Sequence, residues 1–445
     1  MLAKVARFVE WIGRAGVLAN VDVRADSANG YVLVAKKPLH RSELACSIPV
    51  DVLVGSHSAR KIPTLAAVFE AVFPSPEGLP STTILDYQDD HLLLMLTLLH
   101  AKSHPVRTPW HPYVDLLPEA FANSPLLFDD DDLARLDGSP LAELARGIRQ
   151  QVQDTYDAVM TPLAEQFGDS FVTAEHASFP AFLWAHMVVE SRAFKMRIGA
   201  PDGPDPEALS TVLVPLGDLA NHSIQGELES CGISTETGCL EIRISSKSRL
   251  AEYPADFPLT LTYNRLANWE LLMYYGFSLL DNPLERIALS FTSPSEDEDG
   301  DYLLNIRKEL LLELGEDLGL GLDHEIALGA AGGVPQTLVG SLRLLFATLD
   351  ELEGFEIGNL ADIMAWPISM RNERQILDTL KLLLTTMRDA YPSTLAEDTA
   401  RLARTSSARE RYVLIYLIGQ KEILEYGLEW IAVQSSRLNE ERPDE

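Results

Sequence analysis

Two kinds of periodicity alternate along the 445-residue chain, and their order limits the folds open to it. Short strand-like segments occur near the N-terminus, at residues 31–35 and 44–49, and return only after residue 210. Between the two groups, from about 91 to 196, apolar residues repeat at the spacing of helices. A sheet that uses both groups of strands must therefore accommodate a helical block inserted into its sequence.

The second half of the chain completes this pattern. Strand-like runs return at 211–216, 240–244 and 258–263. A short helix is predicted at 270–275, a polar, acidic stretch follows Phe291, and the rest is almost entirely helical in periodicity. We therefore predict an α+β fold in which small β-sheets, with a helical insert at about 85–210, form a domain over 1–290. An all-helical domain is predicted over 300–445.

Several helix boundaries can also be predicted. The acidic run 129–132 precedes a helical pattern, where carboxylates complement the dipole of a helix N-terminus, so we interpret it as a cap rather than a metal site. Thr394 and Glu397 have the spacing of a capping box before a later helix. The helices of the insert are predicted at 92–99, 133–160 and 179–194.

The charge of the chain argues against a nucleic-acid partner. Lys and Arg number 36 against 66 Asp and Glu, which gives a formal net charge of −30. Such a field repels phosphate backbones and lacks the basic stripe that nucleic-acid binding requires. It favours a basic protein partner, although a charge of this size is also a common means of keeping a protein in solution.

Cysteine content and the N-terminus point to a reducing compartment. The three cysteines, Cys46, Cys231 and Cys239, have no paired spacing of the kind that binds zinc or builds a disulfide framework. The first 17 residues read as an amphipathic helix rather than a signal peptide, and no uninterrupted apolar run reaches membrane-spanning length. We therefore expect a cytoplasmic or nuclear monomer with no membrane partner.

Three segments place polar side chains next to apolar strands or helices, where binding sites are often built. The run 213–223 leads an apolar strand into Asn221 and His222. In isolation, Asn and His there are typical of a turn that satisfies its own backbone. The helix at 182–194 is rich in aromatic residues and ends near Arg192, which on its own could equally be the partner in a structural ion pair.

The third segment, 259–277, carries two tyrosines. An alternating strand ends at Tyr263, and a short helix then delivers Tyr275 before Gly276 ends it. Both tyrosines can face one site. Taken alone, they are also typical of core aromatics that keep a hydroxyl at the rim of the core.

Together and in this order, the segments resemble SET-domain methyltransferases of the group typified by the Rubisco large-subunit lysine methyltransferase. The resemblance covers nearly the whole chain. It is carried by Ser47-Ile48-Pro49, by the run from Trp110 to Pro118, by Ser191-Arg192-Ala193-Phe194, by Asn221-His222-Ser223, by Thr262-Tyr263, by Tyr275-Gly276-Phe277 and by the run from Tyr391 to Asp398. That group has a helical insert in its SET domain and a helical substrate-binding domain after it.

The resemblance implies a function and a set of site residues. It implies S-adenosylmethionine as cofactor, a protein substrate, transfer of methyl groups to the ε-amine of a lysine, and no metal. The cofactor would contact the backbone around Gly30 together with Arg192, Asn221 and His222. Tyr263 would stand at the transfer site and also touch the cofactor. The acceptor would be lined by Phe194, Asn268 and Tyr275.

The sequence departs from the family pattern at three places. Val32 replaces the second glycine of a Gly-x-Gly, which removes the freedom of that position to take positive φ. Asn264 replaces the glycine that commonly follows the site tyrosine, and Asn tolerates the left-handed conformation better than most residues. Ala255, Asp256 and Phe257 replace the usual Gly-Glu before the last strand, which predicts a rebuilt turn.

Alternatives to a lysine methyltransferase stay open at this point. A related branch of the same fold modifies histidine, although Phe194 favours lysine. Val32 is the main feature in favour of a SET-like interaction module that has lost turnover. A helical adaptor that works through its C-terminal domain is a third alternative, and measurable cofactor binding would separate the enzyme from both non-enzymes.

Overall fold

A computed structural model describes residues 1–26, 30–73, 89–198, 209–291, 311, 315–328, 333–353 and 361–440. The chain forms two compact units, and each is built from two separate stretches of sequence. The first unit contains 1–121 and 145–265, and the second contains 122–144 and 266–445. The predicted acidic stretch after Phe291 lies outside the described residues.

Eight helices precede the end of the main sheet in sequence within the described residues. They are α1 (Leu2–Arg14), α2 (Ser56–Ala59), α3 (Pro63–Val72), α4 (Asp89–Ser103), α5 (His111–Val114), α6 (Asp130–Leu133), α7 (Pro140–Phe167) and α8 (Phe179–Arg192). Short 3-10 turns lie at Val50–Val52, Pro105–Arg107, Pro125–Leu127, Ala134–Leu136, Gly168–Ser170 and Gly217–Leu219.

The strands of the first unit are β1 (Leu18–Ala19), β2 (Val21–Asp26), β3 (Gly30–Ala35), β4 (Leu39–His40), β5 (Leu44–Pro49), β6 (Phe194–Met196), β7 (Ser210–Val212), β8 (Asn221–His222), β9 (Leu228–Ile233), β10 (Cys239–Ile244), β11 (Glu252–Tyr253) and β12 (Pro258–Leu261). The main sheet has the order β1-β5-β10-β9-β12-β3-β2, and β8 also pairs with β12. Two small two-stranded sheets, β4 with β11 and β6 with β7, complete the unit. Strands from both ends of the insert thus share one sheet.

Strand β12 is the junction of this sheet. It runs antiparallel to β3, with Leu259 opposite Leu33, and parallel to β8, with Thr260 opposite Asn221. The ends of β3, β8 and β12 are therefore neighbours although they are far apart in sequence. The core beneath them is aromatic and aliphatic, and its largest buried side chains include Phe8, Phe69, Trp110, Tyr113 and Phe182.

The second unit is mostly helical and also contains one hairpin. Its hairpin pairs β13 (Arg286–Ser290) with β14 (Asp323–Ala327), and a 3-10 turn lies at Glu316–Leu318. Besides α6 and the start of α7, its described helices are α9 (Asn268–Glu270), which continues as a π-helical turn at Leu271–Tyr275, then α10 (Gln336–Phe346), α11 (Leu349–Glu353), α12 (Asp362–Ala365), α13 (Met370–Asp389), α14 (Leu395–Leu402) and α15 (Ala408–Glu440). The core joins this hairpin to α10, α13 and α15 through apolar side chains such as Ile287, Ile326, Leu342, Leu380 and Leu424.

The structure confirms the predicted strands at 31–35, 44–49 and 240–244, and it corrects other boundaries. The helix predicted at 133–160 runs from Pro140 to Phe167. It begins at Pro140 because Pro is suited to the first position of a helix. The strand predicted at 211–216 ends at Val212. The region predicted to be all-helical contains β14, whose Asp-His-Glu-Ile-Ala sequence hides its alternation by burying a histidine. Among the described residues, no helix is long and apolar enough to cross a membrane.

Both predicted caps are present. The Asp129 carboxylate accepts a hydrogen bond from the Asp132 N–H at 2.9 Å and so caps α6. Thr394 and Glu397 bond each other's backbone N–H groups at the start of α14, which is the reciprocal pattern of a capping box.

Candidate functional site

A cavity of about 460 Å³ in the first unit brings together three of the residues predicted to contact a cofactor. Gly30, Arg192 and Asn221 all line it. Gly30 begins β3, Arg192 ends α8 and Asn221 opens β8. Gly30 and Asn221 lie near each other because β3 and β8 both pair with β12.

The backbone at Gly30 explains why glycine stands there. Its φ is +75°, in the region that side chains with a Cβ rarely adopt, although a Cβ would meet no heavy atom within 4 Å. Val32 pairs with Arg24 in the ladder between β2 and β3. The valine in place of the family's second glycine is therefore an ordinary strand residue.

The structure also shows what replaces the family's residues at Asp256 and Asn264. Asp256 takes a φ of +66° and its N–H donates to the Ala35 carbonyl, so an aspartate supplies the left-handed turn before β12. Asn264 is not among the described residues with positive φ, so its tolerance of that conformation is not used. Its side-chain oxygen accepts from the Arg265 N–H at 2.8 Å instead.

The guanidinium of Arg192 has one nitrogen that is hydrogen-bonded to the protein and another that is not. Its Nη1 donates to the Asp218 carbonyl at 2.8 Å. Its Nε is buried and has no hydrogen-bond partner within the described part of the chain. Because an unpaired buried donor is costly, the arrangement suits a ligand that brings an acceptor, such as a carboxylate, into the cavity.

Tyr113 and Asp218 form a buried pair behind Arg192 that the sequence analysis did not predict. The Tyr113 hydroxyl donates to the Asp218 carboxylate. Burial raises the pKa of Asp218 to about 6, although the Arg192 guanidinium acts in the opposite direction. Tyr113 lies in the run from Trp110 to Pro118 that carries the family resemblance, and Asp218 lies in the segment 213–223, but neither segment indicates that the two side chains pair.

The turn that presents the Asp218 carbonyl to Arg192 is strained. Leu216, just before this 3-10 turn, has a φ of +81° although it carries a branched and fully buried side chain. Such a conformation persists only where the surrounding structure enforces it. Here the hydrogen bond between Tyr113 and Asp218 anchors the turn from the core side.

Asn221 and His222 are fixed by the pairing of β8 with β12. The Asn221 amide donates to the Tyr31 carbonyl at 3.2 Å, which ties β8 to the strand that begins at Gly30. The His222 Nδ1 accepts from the Tyr263 N–H at 3.2 Å. Burial lowers the pKa of His222, so its ring is neutral in the tautomer that leaves Nδ1 as an acceptor.

Tyr263 lies two residues after the end of β12, and its hydroxyl donates to the Ala220 carbonyl at 2.8 Å. Its ring centroid lies 5.1 Å from that of His222. Burial raises the pKa of Tyr263 to about 12, so the phenol keeps its proton at neutral pH. The structure therefore brings Tyr263, His222 and Ala220 together. The role of Tyr263 in methyl transfer stays a prediction.

None of the three residues predicted to line the acceptor is among the residues that line this cavity. Phe194 begins β6 and packs half-buried against the core of the first unit. Tyr275 ends the π-helical turn of the second unit, where Gly276 follows with a φ of +74°. Asn268 is buried in the second unit, and both polar atoms of its amide bond the backbone of Leu279, which is a structural task. Their roles as acceptor residues stay predictions.

The family model "Rubisco LSMT substrate-binding" matches residues 298–424. The N-lysine methyltransferase SETD6 of Bos taurus is 24% identical over 282 residues, which cover 62% of this chain and 57% of the relative. The SET domain-containing protein 4 of Mus musculus is 30% identical over 206 residues, which cover 45% of this chain and 44% of the relative. The chain thus spans about half the length of these relatives.

Solved structures share the fold over almost the entire chain. A crystal structure of the SET domain of LSMT bound to lysine and AdoHcy superposes with a TM-score of 0.73 at 17% identity, and the match covers 99% of this chain and 93% of that one. The matched domain, the relatives and this superposition agree with one another. The chain is similar to LSMT-like SET-domain proteins and shares their fold, with a mostly helical C-terminal region.

Proposed function

We propose that the protein is an S-adenosylmethionine-dependent protein-lysine N-methyltransferase. The cavity lined by Gly30, Arg192 and Asn221 carries this proposal, because a fold of this kind in LSMT binds lysine and AdoHcy. AdoHcy is what S-adenosylmethionine becomes once its methyl group has been transferred. The similarity to SETD6, an N-lysine methyltransferase, supports the same acceptor.

The residues of the cavity fit the polar groups of such a cofactor. The unpaired Nε of Arg192 is a donor for a carboxylate. Asp115 and Glu119 also line the cavity and offer carboxylate acceptors to an ammonium group or to ribose hydroxyls. These two carboxylates pair with Arg7 and Lys4 at the surface, so their positions are restrained before any ligand arrives.

S-adenosylmethionine supplies a sulfonium-bound methyl group for a one-step displacement by an amine. The chain must then hold a neutral amine in line and keep water away. A free lysine has a pKa of about 10.4, and burial disfavours its ammonium form. The Tyr263 hydroxyl oxygen has lone pairs that can accept from the amine N–H, and alignment of this kind is worth several kcal/mol of barrier.

Cofactor binding is the first test of the proposal. Isothermal titration calorimetry of the full chain with S-adenosylmethionine should show one site, and Arg192→Met should weaken it by about 10-fold or more, the value of a hydrogen bond to a charged group. Arg243→Met is the matched control, since Arg243 pairs with Glu241 in the same unit. Absence of binding to the folded wild type would favour an interaction module without turnover.

The acceptor is tested separately. The purified protein is incubated with cell extract and a cofactor labelled in its methyl group, and mass spectrometry then identifies the modified residue. We expect methyl-lysine on a protein that is more basic than average, because the chain carries a net charge of −30. Methyl-histidine as the product would replace the lysine proposal with the histidine branch of the fold.

A further inference from the structure

Two helices of the first unit carry a compact cluster of metal-binding side chains that methyl transfer does not use. His91 lies on α4, and His186 and Glu190 lie on α8. One ligand atom from each of the three side chains lies within 4.8 Å of the other two. His186 and Glu190 are four residues apart, so they project from the same face of α8, and α4 packs against that helix.

The geometry of the cluster is close to that of a zinc site. The His91 Nε2 is 3.6 Å from the Glu190 Oε1, and the two imidazole centroids are 5.8 Å apart with planes inclined by 45°. Zinc binds imidazole nitrogen and carboxylate oxygen at about 2.0–2.2 Å, which places two ligands of a tetrahedron about 3.4 Å apart. Small side-chain rotations therefore bring all three atoms to bonding distance.

The surroundings favour the neutral imidazoles that metal binding requires, but they oppose ionisation of the carboxyl. Burial lowers the pKa of His91 to about 4 and that of His186 to about 3, so both imidazoles keep a lone pair at neutral pH. Burial raises the pKa of the Glu190 carboxyl to about 7. A divalent cation between the two helices would therefore have to displace the remaining proton from this carboxyl.

One charged neighbour opposes a cation. The Lys195 ammonium acts on both His91 and Glu190, but the side chain is exposed on β6 and has room to move into solvent. Two neutral imidazoles and one carboxylate leave one unit of net positive charge after a divalent ion has bound. Lys195 therefore weakens the site without blocking it.

We propose that His91, His186 and Glu190 bind one zinc ion that ties α4 to α8. The Glu190 side chain is 29% exposed, so water can complete the coordination and the ion has a route of entry. Two imidazoles, one carboxylate and one water are a donor set that zinc commonly takes. The proposed ligand Glu190 lies two residues before Arg192, and the zinc site is independent of the proposed methyl transfer.

The test measures metal directly. The full chain is stripped with a chelator, equilibrated with zinc and passed through gel filtration, and its zinc is counted by mass spectrometry. We expect about one zinc per chain and a higher thermal midpoint with zinc than without it. His186→Gln should lose both effects. His40→Gln, which removes an exposed imidazole and keeps every thiol, should retain both.

Two further variants keep the test decisive. Glu190→Gln at the rim of the cluster should lower zinc affinity even if His186→Gln does not fold. Lys195→Met keeps the aliphatic stem and removes the opposing charge, so it should bind zinc more tightly than the wild type. Zinc retention that is negligible in the wild type, or equal in the wild type and Glu190→Gln, would overturn the proposal. Lysine methylation is not part of this readout.

Discussion

The hydroxyl of Tyr263 is a single group whose removal separates packing from chemistry. Tyr263→Phe keeps the ring beside His222 and deletes the donor to the Ala220 carbonyl, which should cost about 1 kcal/mol of stability. We expect turnover to fall by roughly 100-fold, because an orienting group near the acceptor acts in the transition state, with cofactor affinity nearly unchanged. Steady-state kinetics and calorimetry measure the two effects.

Tyr253→Phe is the control for this experiment. Tyr253 is also buried in the first unit, and its hydroxyl accepts from the Leu250 N–H at 3.2 Å, away from the cavity. It should show a similar loss of stability and normal turnover. Turnover at the wild-type level in Tyr263→Phe would assign this tyrosine to structure alone.

Tyr275→Phe should change the product more than the rate. In the proposed function Tyr275 lines the channel for the lysine, where its hydroxyl limits the room and the water around the amine. Removal of that hydroxyl should shift the distribution among mono-, di- and trimethyl-lysine, which mass spectrometry of a modified peptide resolves. An unchanged distribution, with normal kinetics, would place Tyr275 outside the acceptor channel.

The buried carboxyl of Glu285 makes stability depend on pH. It accepts from the Asn268 N–H and from the Gln420 amide, and burial raises its pKa from 4.5 to about 7. A folded-state pKa above the unfolded value means that the free energy of unfolding falls as pH rises from about 4.5 to about 7. The shift corresponds to roughly 3 kcal/mol.

Glu285→Gln should therefore remove part of this pH dependence. Gln420 can rotate its amide to accept from the new side chain, so the variant can fold with its hydrogen bonds largely kept. Urea unfolding at about pH 5 and pH 8 should show a smaller loss of stability with rising pH than in the wild type. Glu70→Gln, which changes an exposed carboxyl, is the control, and equal pH profiles in all three proteins would contradict the argument.

Site residues could be predicted from the sequence where a glycine or a motif marked their positions. Gly30, Arg192 and Asn221 line one cavity as predicted, although their cofactor contacts stay predictions. Tyr113 and Asp218 could not be predicted in the same way, because an aspartate in a sequence gives no sign that it will be buried against a tyrosine. Their pairing depends on a chain separation of 105 residues.

Among the elements, α14 depends on its N-terminal cap. Thr394→Ala removes the side chain that accepts from the Glu397 N–H, which should cost about 1 kcal/mol in urea unfolding. Thr399→Ala lies within the same helix, where its hydroxyl bonds only the Leu395 carbonyl, and should be neutral or slightly stabilising. Equal losses in the two variants would show that the cap contributes nothing of its own.

Long periodic elements and caps could be predicted, and very short strands could not. α8 and β5 were predicted nearly to the residue because an apolar pattern and a flanking Pro or Ser marked them. β4 and β11 contain two residues each, which is too short for any alternation to appear. The π-helical turn before Gly276 also has no local signature, because it differs from an α-helix only in its hydrogen bonds.

At the scale of the whole molecule, the net charge predicts how salt affects turnover. If the protein substrate is basic, attraction by a chain with a net charge of −30 raises the encounter rate, and added salt screens that attraction. We expect kcat/KM for the protein substrate to fall as ionic strength rises, chiefly through KM. The affinity for S-adenosylmethionine, measured in parallel, should change much less. A kcat/KM independent of salt would argue against electrostatic recognition.

Domain organisation was harder to predict than secondary structure. The sequence predicted a division near residue 290, whereas the compact units place 122–144 with 266–445. A unit that recruits a distant stretch of chain leaves no local signal, because composition and periodicity report only on neighbours in sequence. The contact between Asp132 and Arg409, which are 277 residues apart, is of this kind.

Because the second unit combines 122–144 with 266–445, its parts leave the ribosome at different times. Ribosomes add roughly 5–20 residues per second, so Arg409 emerges roughly 14–55 seconds after Asp132. Until residue 266 is made, roughly 6–24 seconds after residue 144, the stretch 122–144 has no partner from the rest of its unit. The nascent chain must keep the apolar side chains of this stretch, such as Leu126 and Phe128, from aggregating until their partners are made. Chaperone demand and codon usage over 266–445 should therefore affect yield more than changes near the N-terminus.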